Sequence, residues 1–231
     1  MRVIDYPYGY HLLKTELHTT NIIVKEPQHI AIAGNIGVGK TTLVQKLAQH
    51  YSWKPHLEAV DDNPYLSDFY QDMAKWSFPL QIYFLNSRFN QVVEIQNSPI
   101  SIIQDRTIYE DAFIFAKNLN ESGLLESRDY QTYLALFKSM SNMIKAPDLM
   151  IYLRAGVPTL VDQIAKRGRD YEVSISIKYL ENLNRNYEEW IGEYREGPLL
   201  ILETDDLDYV NRPEDFDFVV QKIEEELIVK S

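Results

Sequence analysis

Residues Gly34-Asn35-Ile36-Gly37-Val38-Gly39-Lys40-Thr41 fit the pattern G-x-x-x-x-G-K-[ST], and they stand between two segments of different periodicity. Upstream, Ile30-Ala31-Ile32-Ala33 is apolar on successive residues, as in a strand covered on both faces. Downstream, residues 40–50 carry Leu43, Val44 and Leu47 at helical spacing. A strand, a glycine-rich turn and a helix in that order form a cradle for phosphate. The glycines let successive N–H groups turn inward, and the helix N-terminus adds the positive end of its dipole. In such a loop Lys40 reaches the β- and γ-phosphates, and the Thr41 hydroxyl, followed by Thr42, faces Mg²⁺.

The same start constrains the rest of the chain. Further strand candidates fall at 56–58, 101–104, 149–153 and 199–202, and helical patterns at 76–96, 109–118, 130–144, 158–166, 177–193 and 213–229. This alternation predicts an α/β fold, a five-stranded parallel sheet with helices on both faces. No repeat or linker divides it, so residues 28–231 read as one domain behind an extension at 1–27 of unassigned role.

Composition narrows the function. A net charge of -11 argues against nucleic acid as a partner, because phosphate-backbone binding needs a basic surface. The absence of cysteine excludes disulfides, thiolate zinc sites and a cysteine nucleophile. No apolar run is long enough for a membrane span, and residues 1–10 do not pair a basic start with an apolar stretch; a cytoplasmic protein is expected.

Three features extend the loop toward a reaction. Glu58 closes the second strand candidate, at the sheet edge where ligands bind, and a carboxylate there is placed to take the proton of an attacking hydroxyl. Its other reading is a loop or capping acid. Asp105-Arg106 closes the third strand, where arginine can clamp phosphate oxygens and the acid can hold it or bind Mg²⁺ through water. Lys166-Arg167-Gly168-Arg169 is the one dense basic cluster, and glycine between arginines suits a lid over phosphates. No guanine-reading Asn-Lys-x-Asp stretch accompanies the loop, so a GTPase is disfavoured.

Together, Gly34–Thr42, Leu57-Glu58-Ala59-Val60, Trp76-Ser77-Phe78-Pro79-Leu80-Gln81, Asp105-Arg106-Thr107 with Asp111, and Arg167-Gly168-Arg169-Asp170-Tyr171-Glu172 resemble the deoxynucleoside kinase family, with its P-loop NTPase fold. The resemblance runs from about Gln28 to the C-terminus. It implies that Glu58 deprotonates the nucleoside 5′-hydroxyl, that Arg106 steadies it and the phosphates, and that Tyr70 and Glu172 hold the 3′-hydroxyl. It assigns the base edge to Gln81, Arg88 and Asp111, base stacking to Phe115, and adenine contacts to the region of Asp208 and Tyr209. Lys40, Arg106, Arg167 and Arg169 would stabilise charge, with Thr41 and Asp105 toward Mg²⁺. Relatives are homodimers joined through helices, and feedback inhibition by a deoxynucleoside triphosphate is a family expectation.

Departures from the family pattern are Leu80, where many relatives stack a phenylalanine; Gln163, where many begin the lid with another arginine; and Asp105, where the deoxycytidine and insect enzymes carry glutamate. The Arg88–Asp111 pair resembles deoxycytidine and purine kinases more than thymidine-accepting ones, and deoxyadenosine is the favoured substrate, with deoxycytidine or deoxyguanosine next. Two rivals are a nucleoside monophosphate kinase, whose acceptor site should add arginines, and a non-catalytic nucleotide-binding subunit, against which Lys40 and Glu58 both stand.

Overall fold

Strand β1 (His29–Gly34) sorts its side chains by size in the computed structural model, which describes residues 26–57, 63–168 and 175–228. Ile30 and Ile32 join one core with Leu43, Val44 and Leu47 of α1 (Lys40–Tyr51) and Val219 and Ile223 of α9 (Pro213–Ile228). Ala31 and Ala33 join the other, where their small side chains leave room for large rings. There Tyr152 of β4 (Leu149–Arg154) stacks on Tyr187 of α8 (Ile177–Glu193), centroids 5.6 Å apart. Alternation along one strand therefore supplies both faces of the sheet with a core.

The five strands run in the order β2-β3-β1-β4-β5, all neighbouring pairs parallel, with β2 at Lys54–His56, β3 at Ile102–Asp105 and β5 at Leu199–Glu203. This is the α/β architecture expected from the alternation. The expected cover on both faces holds for β1, β3 and β4 but fails at the edges. Lys54 and Pro55 of β2 are exposed, and β5 buries Leu200 and Leu202 while Ile201 and Glu203 face outward. Strand β2 also ends two residues before Glu58, because its pairing with β3 stops at His56↔Gln104. Glu58 itself lies outside the described residues.

Helices α3 (Met73–Gln96), α6 (Ser127–Ser141) and α7 (Val157–Arg167) shift by a few residues from the patterns in the sequence. A short helix, α2 (Leu66–Gln71), was not anticipated. Asp72 sets the earlier start of α3, its carboxylate accepting from the Lys75 N–H. The stretch read as one helix at 109–118 comprises α4 (Ile108–Glu110), a π-helical segment (Asp111–Ala116) and α5 (Lys117–Glu121). Such wide turns recur at functional sites. No helix among the described residues is long and apolar enough to cross a membrane.

At the start of β1, His29 is buried and its Nε2 lies 2.8 Å from Gln104 Oε1. Burial pushes the imidazole below its ordinary value, helped by His56 and opposed by the Gln104 hydrogen bond and Asp148. The unfolded imidazole takes up a proton near pH ~6.5 while the folded one resists, so stability should fall as pH drops through that value. His29→Gln, which keeps a donor toward Gln104 but does not titrate, should show a smaller loss of Tm between pH 7.5 and 5.5 than the native chain. An equal loss in both would assign the acid sensitivity elsewhere.

Candidate active site

Strand β1 runs straight into the phosphate loop, and α7 and the 204–212 segment press on it. Gly37 has φ 89°, and a Cβ there would fall 2.9 Å from the Leu160 carbonyl oxygen and 2.8 Å from Ile164 Cγ1. Gly39 has φ 94°, and its Cβ would run into the Tyr209 hydroxyl. Both positions therefore demand glycine on backbone and space alike. Asn35 pins the loop to α8: its Nδ2 donates to Asn184 Oδ1 (2.5 Å) and the Leu180 carbonyl (3.2 Å), while its Oδ1 accepts from Ile36 N–H (2.7 Å).

Lys40 is buried, its Nζ donating to the carbonyls of Gly34 (2.7 Å) and Asn35 (2.9 Å). The Thr41 hydroxyl donates to Asp105 Oδ2 at 2.5 Å. Asp105 is itself buried, and its Oδ1 has no hydrogen-bond partner among the described residues. A buried carboxylate oxygen with spare lone pairs beside a hydroxyl is a hard-oxygen arrangement that fits Mg²⁺, whose remaining ligands are commonly water and phosphate.

A cavity of about 290 Å³ opens from this loop toward α3. It brings together Lys40, Thr41, Asp105, Arg106, Tyr70, Gln81, Asp111, Phe115 and Arg167, residues drawn from separate stretches of the sequence. Gln81 is 3% exposed, and its Oε1 finds no partner among the described residues. Behind it Arg88 is equally buried: Nε donates to Asp111 Oδ2 (3.4 Å), and Nη1 donates to Gln91 Oε1 (3.2 Å) and the Asp105 carbonyl (3.0 Å). Gln81 and Arg88 thus share the buried face that their seven-residue spacing implied. Leu80, Phe84 and Leu119 give the cavity an apolar wall.

Arg106 has φ 70°, in the left-handed region that bulky residues rarely occupy. That turn lays its guanidinium 4.6 Å over the Phe115 ring and lets Nη1 donate to Glu110 Oε1 (3.2 Å) and the Tyr187 hydroxyl (3.0 Å). Arg167 ends α7, and Gly168, at φ 65°, is the left-handed cap that stops the helix. The glycine between the basic residues therefore has a definite backbone task at the end of α7. Arg169 and Glu172, like Glu58, lie outside the described residues.

A second cavity, of about 380 Å³, lies on the far side of the loop, lined by Val38, Gly39, Thr42, Gln163, Lys166 and the stretch 204–212. Tyr209 is buried there, its hydroxyl donating toward the carbonyls of Gly39 (3.1 Å) and Val38 (3.3 Å). Burial pushes that hydroxyl well above the ordinary tyrosine value. Asp208 is half-buried and accepts from the N–H groups of Val210 (3.2 Å) and Asn211 (3.0 Å).

The family model for deoxynucleoside kinase matches residues 30–229. The chain belongs to the deoxynucleoside kinase family. It is 40% identical over 196 residues to a deoxyadenosine/deoxycytidine kinase of Bacillus subtilis (strain 168), covering 84% of this chain and 90% of that one. It is 49% identical over 168 residues to a deoxyadenosine kinase of Dictyostelium discoideum, covering 73% of this chain and 68% of that one. The solved structure of deoxyadenosine kinase from M. mycoides with bound dATP aligns at a TM-score of 0.76 and 32% identity, over 85% of this chain and 99% of the other. At that identity and coverage the P-loop NTPase fold expected from the sequence is shown as well.

Among the residues of this deoxynucleoside kinase family member, the sequence reading left out Glu110, Asn184 and Tyr187. The Thr107-x-x-Glu110 spacing was a visible signal, since it is that of a capping box, and the structure forms one. Nothing in the sequence separates Tyr187 from an ordinary core tyrosine of an amphipathic helix. Of the departures, Leu80 joins the apolar wall of the first cavity, whereas Gln163 lines the second.

Proposed function

We propose that this protein transfers the γ-phosphoryl group of ATP to the 5′-hydroxyl of a deoxynucleoside, with deoxyadenosine favoured and deoxycytidine or deoxyguanosine next. The observation that carries the proposal is the first cavity, where Lys40 and Thr41 of the phosphate loop share one enclosure with Tyr70, Gln81 and Asp111. Donor and acceptor groups brought to one cavity are what an in-line transfer needs. The deoxyadenosine and deoxycytidine kinases among its relatives support the acceptor class.

In this reading Glu58 removes the proton from the 5′-hydroxyl, and Arg106 orients that oxygen and the phosphates. Lys40, Arg167 and Arg169 balance charge as it moves. Thr41, with Asp105 through water, would hold Mg²⁺, which would offset phosphate charge there. Tyr70 and Glu172 take the 3′-hydroxyl. Gln81, Arg88 and Asp111 read the base edge, and Phe115 stacks on the base. The loops lining the second cavity, with Asp208 and Tyr209, receive the adenine of ATP. A cytoplasmic homodimer completes the reading, supported by Leu136 (43% exposed) and Met143 (65%) on and just past α6, apolar surface a second copy would cover.

A phosphorylation assay with ATP against dA, dG, dC and dT tests the reaction and the base preference together. Turnover on dA at least as fast as on dC and dG is expected, and no turnover on any of the four removes the proposal. A second substitution isolates the base contact. Because Gln81 Oε1 has no partner among the described residues, Gln81→Leu removes a buried polar atom without orphaning another, and Tm should hold or rise. The kcat/KM for the deoxynucleoside should nevertheless drop on the order of 100-fold, since the base edge loses its reader. Unchanged kcat/KM would place the base elsewhere.

A further inference from the structure

Glu110 is fully buried and lines neither cavity, yet it makes more hydrogen bonds than a helix cap requires. Its Oε2 closes the capping box, accepting from the Thr107 N–H (2.8 Å) and hydroxyl (3.3 Å). Its Oε1 is surplus to that task. It accepts from the Gly34 N–H (3.2 Å), from Arg106 Nη1 (3.2 Å) and from the Tyr187 hydroxyl (2.7 Å). The first residue of the phosphate loop and the arginine that follows the neighbouring strand β3 are thus tied to one carboxylate oxygen.

We propose that Glu110 and Tyr187 form a single positioning unit that locks the entrance of the phosphate loop to Arg106 and so aims the guanidinium for phosphoryl transfer. The inference rests on the kinase reading above. Between them the pair brackets Gly34 from both sides, Glu110 on its N–H and Tyr187 2.7 Å from its carbonyl. The Tyr187 hydroxyl has one proton and two acceptors at equal distance, Gly34 O and Glu110 Oε1. The Gly34 carbonyl also accepts from Lys40 Nζ. Once Lys40 turns toward a phosphate, that carbonyl loses the ammonium, and the Tyr187 proton is the donor that remains beside it. Meanwhile Arg106 keeps Glu110 as its counter-ion. The left-handed backbone of Arg106 is consistent with this, because such a conformation persists only where the surroundings over-determine it.

Glu110→Gln and Tyr187→Phe test the unit, alone, together and in an Arg106→Ala background. Displacement of a positioned group by about an ångström costs on the order of 100-fold. Each single variant should therefore lower kcat by about 10- to 100-fold, with KM for ATP and deoxynucleoside within about threefold of the native values. The double variant should be no slower than the slower single one, and Tyr187→Phe should cost nothing further once Arg106 is alanine. Circular dichroism at the assay temperature gives the folded fraction, so that kcat refers to folded protein. If Glu110→Gln does not fold, Tyr187→Phe and its behaviour beside Arg106→Ala decide the matter alone. Folded single variants within twofold of native kcat, or losses that multiply in the double variant, overturn the unit. A native protein without turnover on any deoxynucleoside overturns the kinase reading and this inference together; active native protein with unaffected variants overturns this inference alone.

Discussion

Arg106→Ala is expected to lower kcat by roughly 1000-fold, in the range that arginines contribute to phosphoryl transfer, and to destabilise the fold by about 3–5 kcal/mol. Both effects trace to one guanidinium. On the cavity side it lines the same space as Lys40 and Thr41, and in the proposed reaction its loss would leave charge developing on the transferred group without that clamp. On the buried side it is the ion-pair partner of Glu110, 3.2 Å away, and Glu110 is wholly enclosed. Removing one member of a buried pair strands the other, which is where the stability loss arises. Steady-state kinetics at saturating ATP and deoxynucleoside, with thermal unfolding by circular dichroism, read the two losses separately.

The backbone at this position adds a control. Arg106 holds φ 70°, a conformation that costs a non-glycine residue roughly 1–2 kcal/mol. Alanine inherits that cost and glycine does not, so Arg106→Gly should be more stable than Arg106→Ala by about that amount while being equally inactive. Glycine no more stable than alanine would mean that the local backbone relaxes once the side chain is gone. Lysine preserves the charge but lacks the planar fork that lets one guanidinium reach Glu110 and Tyr187 together, so Arg106→Lys should recover little of the lost rate.

What the sequence disclosed was whatever a local pattern could carry. The loop could be read because glycine spacing, lysine and threonine are demanded together within eight residues, and each has its own backbone or chemical reason. The inner strands could be read because burial on both faces leaves a continuous apolar run. The edge strands were misjudged for the same reason, since exposure on β2 and β5 depends on which strand has no neighbour, a fact of topology. The cavity residues Tyr70, Gln81, Asp111 and Phe115 come from α2, α3 and the π-helical segment, and only the family resemblance had grouped them. Glu110 and Tyr187 lie 77 positions apart and meet through the packing of α8 beneath the loop. No spacing rule spans that distance. The π-helical turns escaped as well, because a segment of slightly wider turns leaves almost the same apolar pattern over six residues as an α-helix.

Glu58→Ala should reduce turnover by about 1000-fold while deoxynucleoside binding, followed by calorimetry, remains measurable. The described residues before it lead to the site: His56 is in register with Gln104 of β3, one residue before Asp105, and Leu57 lines the first cavity. The size of the effect follows from the reaction. Phosphoryl transfer passes through a loose transition state in which little bond to the nucleophile has formed, so the 5′-hydroxyl need not be fully ionised beforehand. A general base then supplies part of the barrier reduction, within the roughly 100- to 10,000-fold span typical of such groups, and the proposed mechanism leaves the remainder to Lys40, Arg106 and the phosphate loop. Glu58→Gln sharpens the reading, because the amide keeps the size and can still hold the hydroxyl but cannot accept its proton. Equal losses for alanine and glutamine mark proton removal as the contribution. A glutamine variant that keeps most of the activity would assign Glu58 to orientation, and near-native kcat in both variants would remove it from the chemistry.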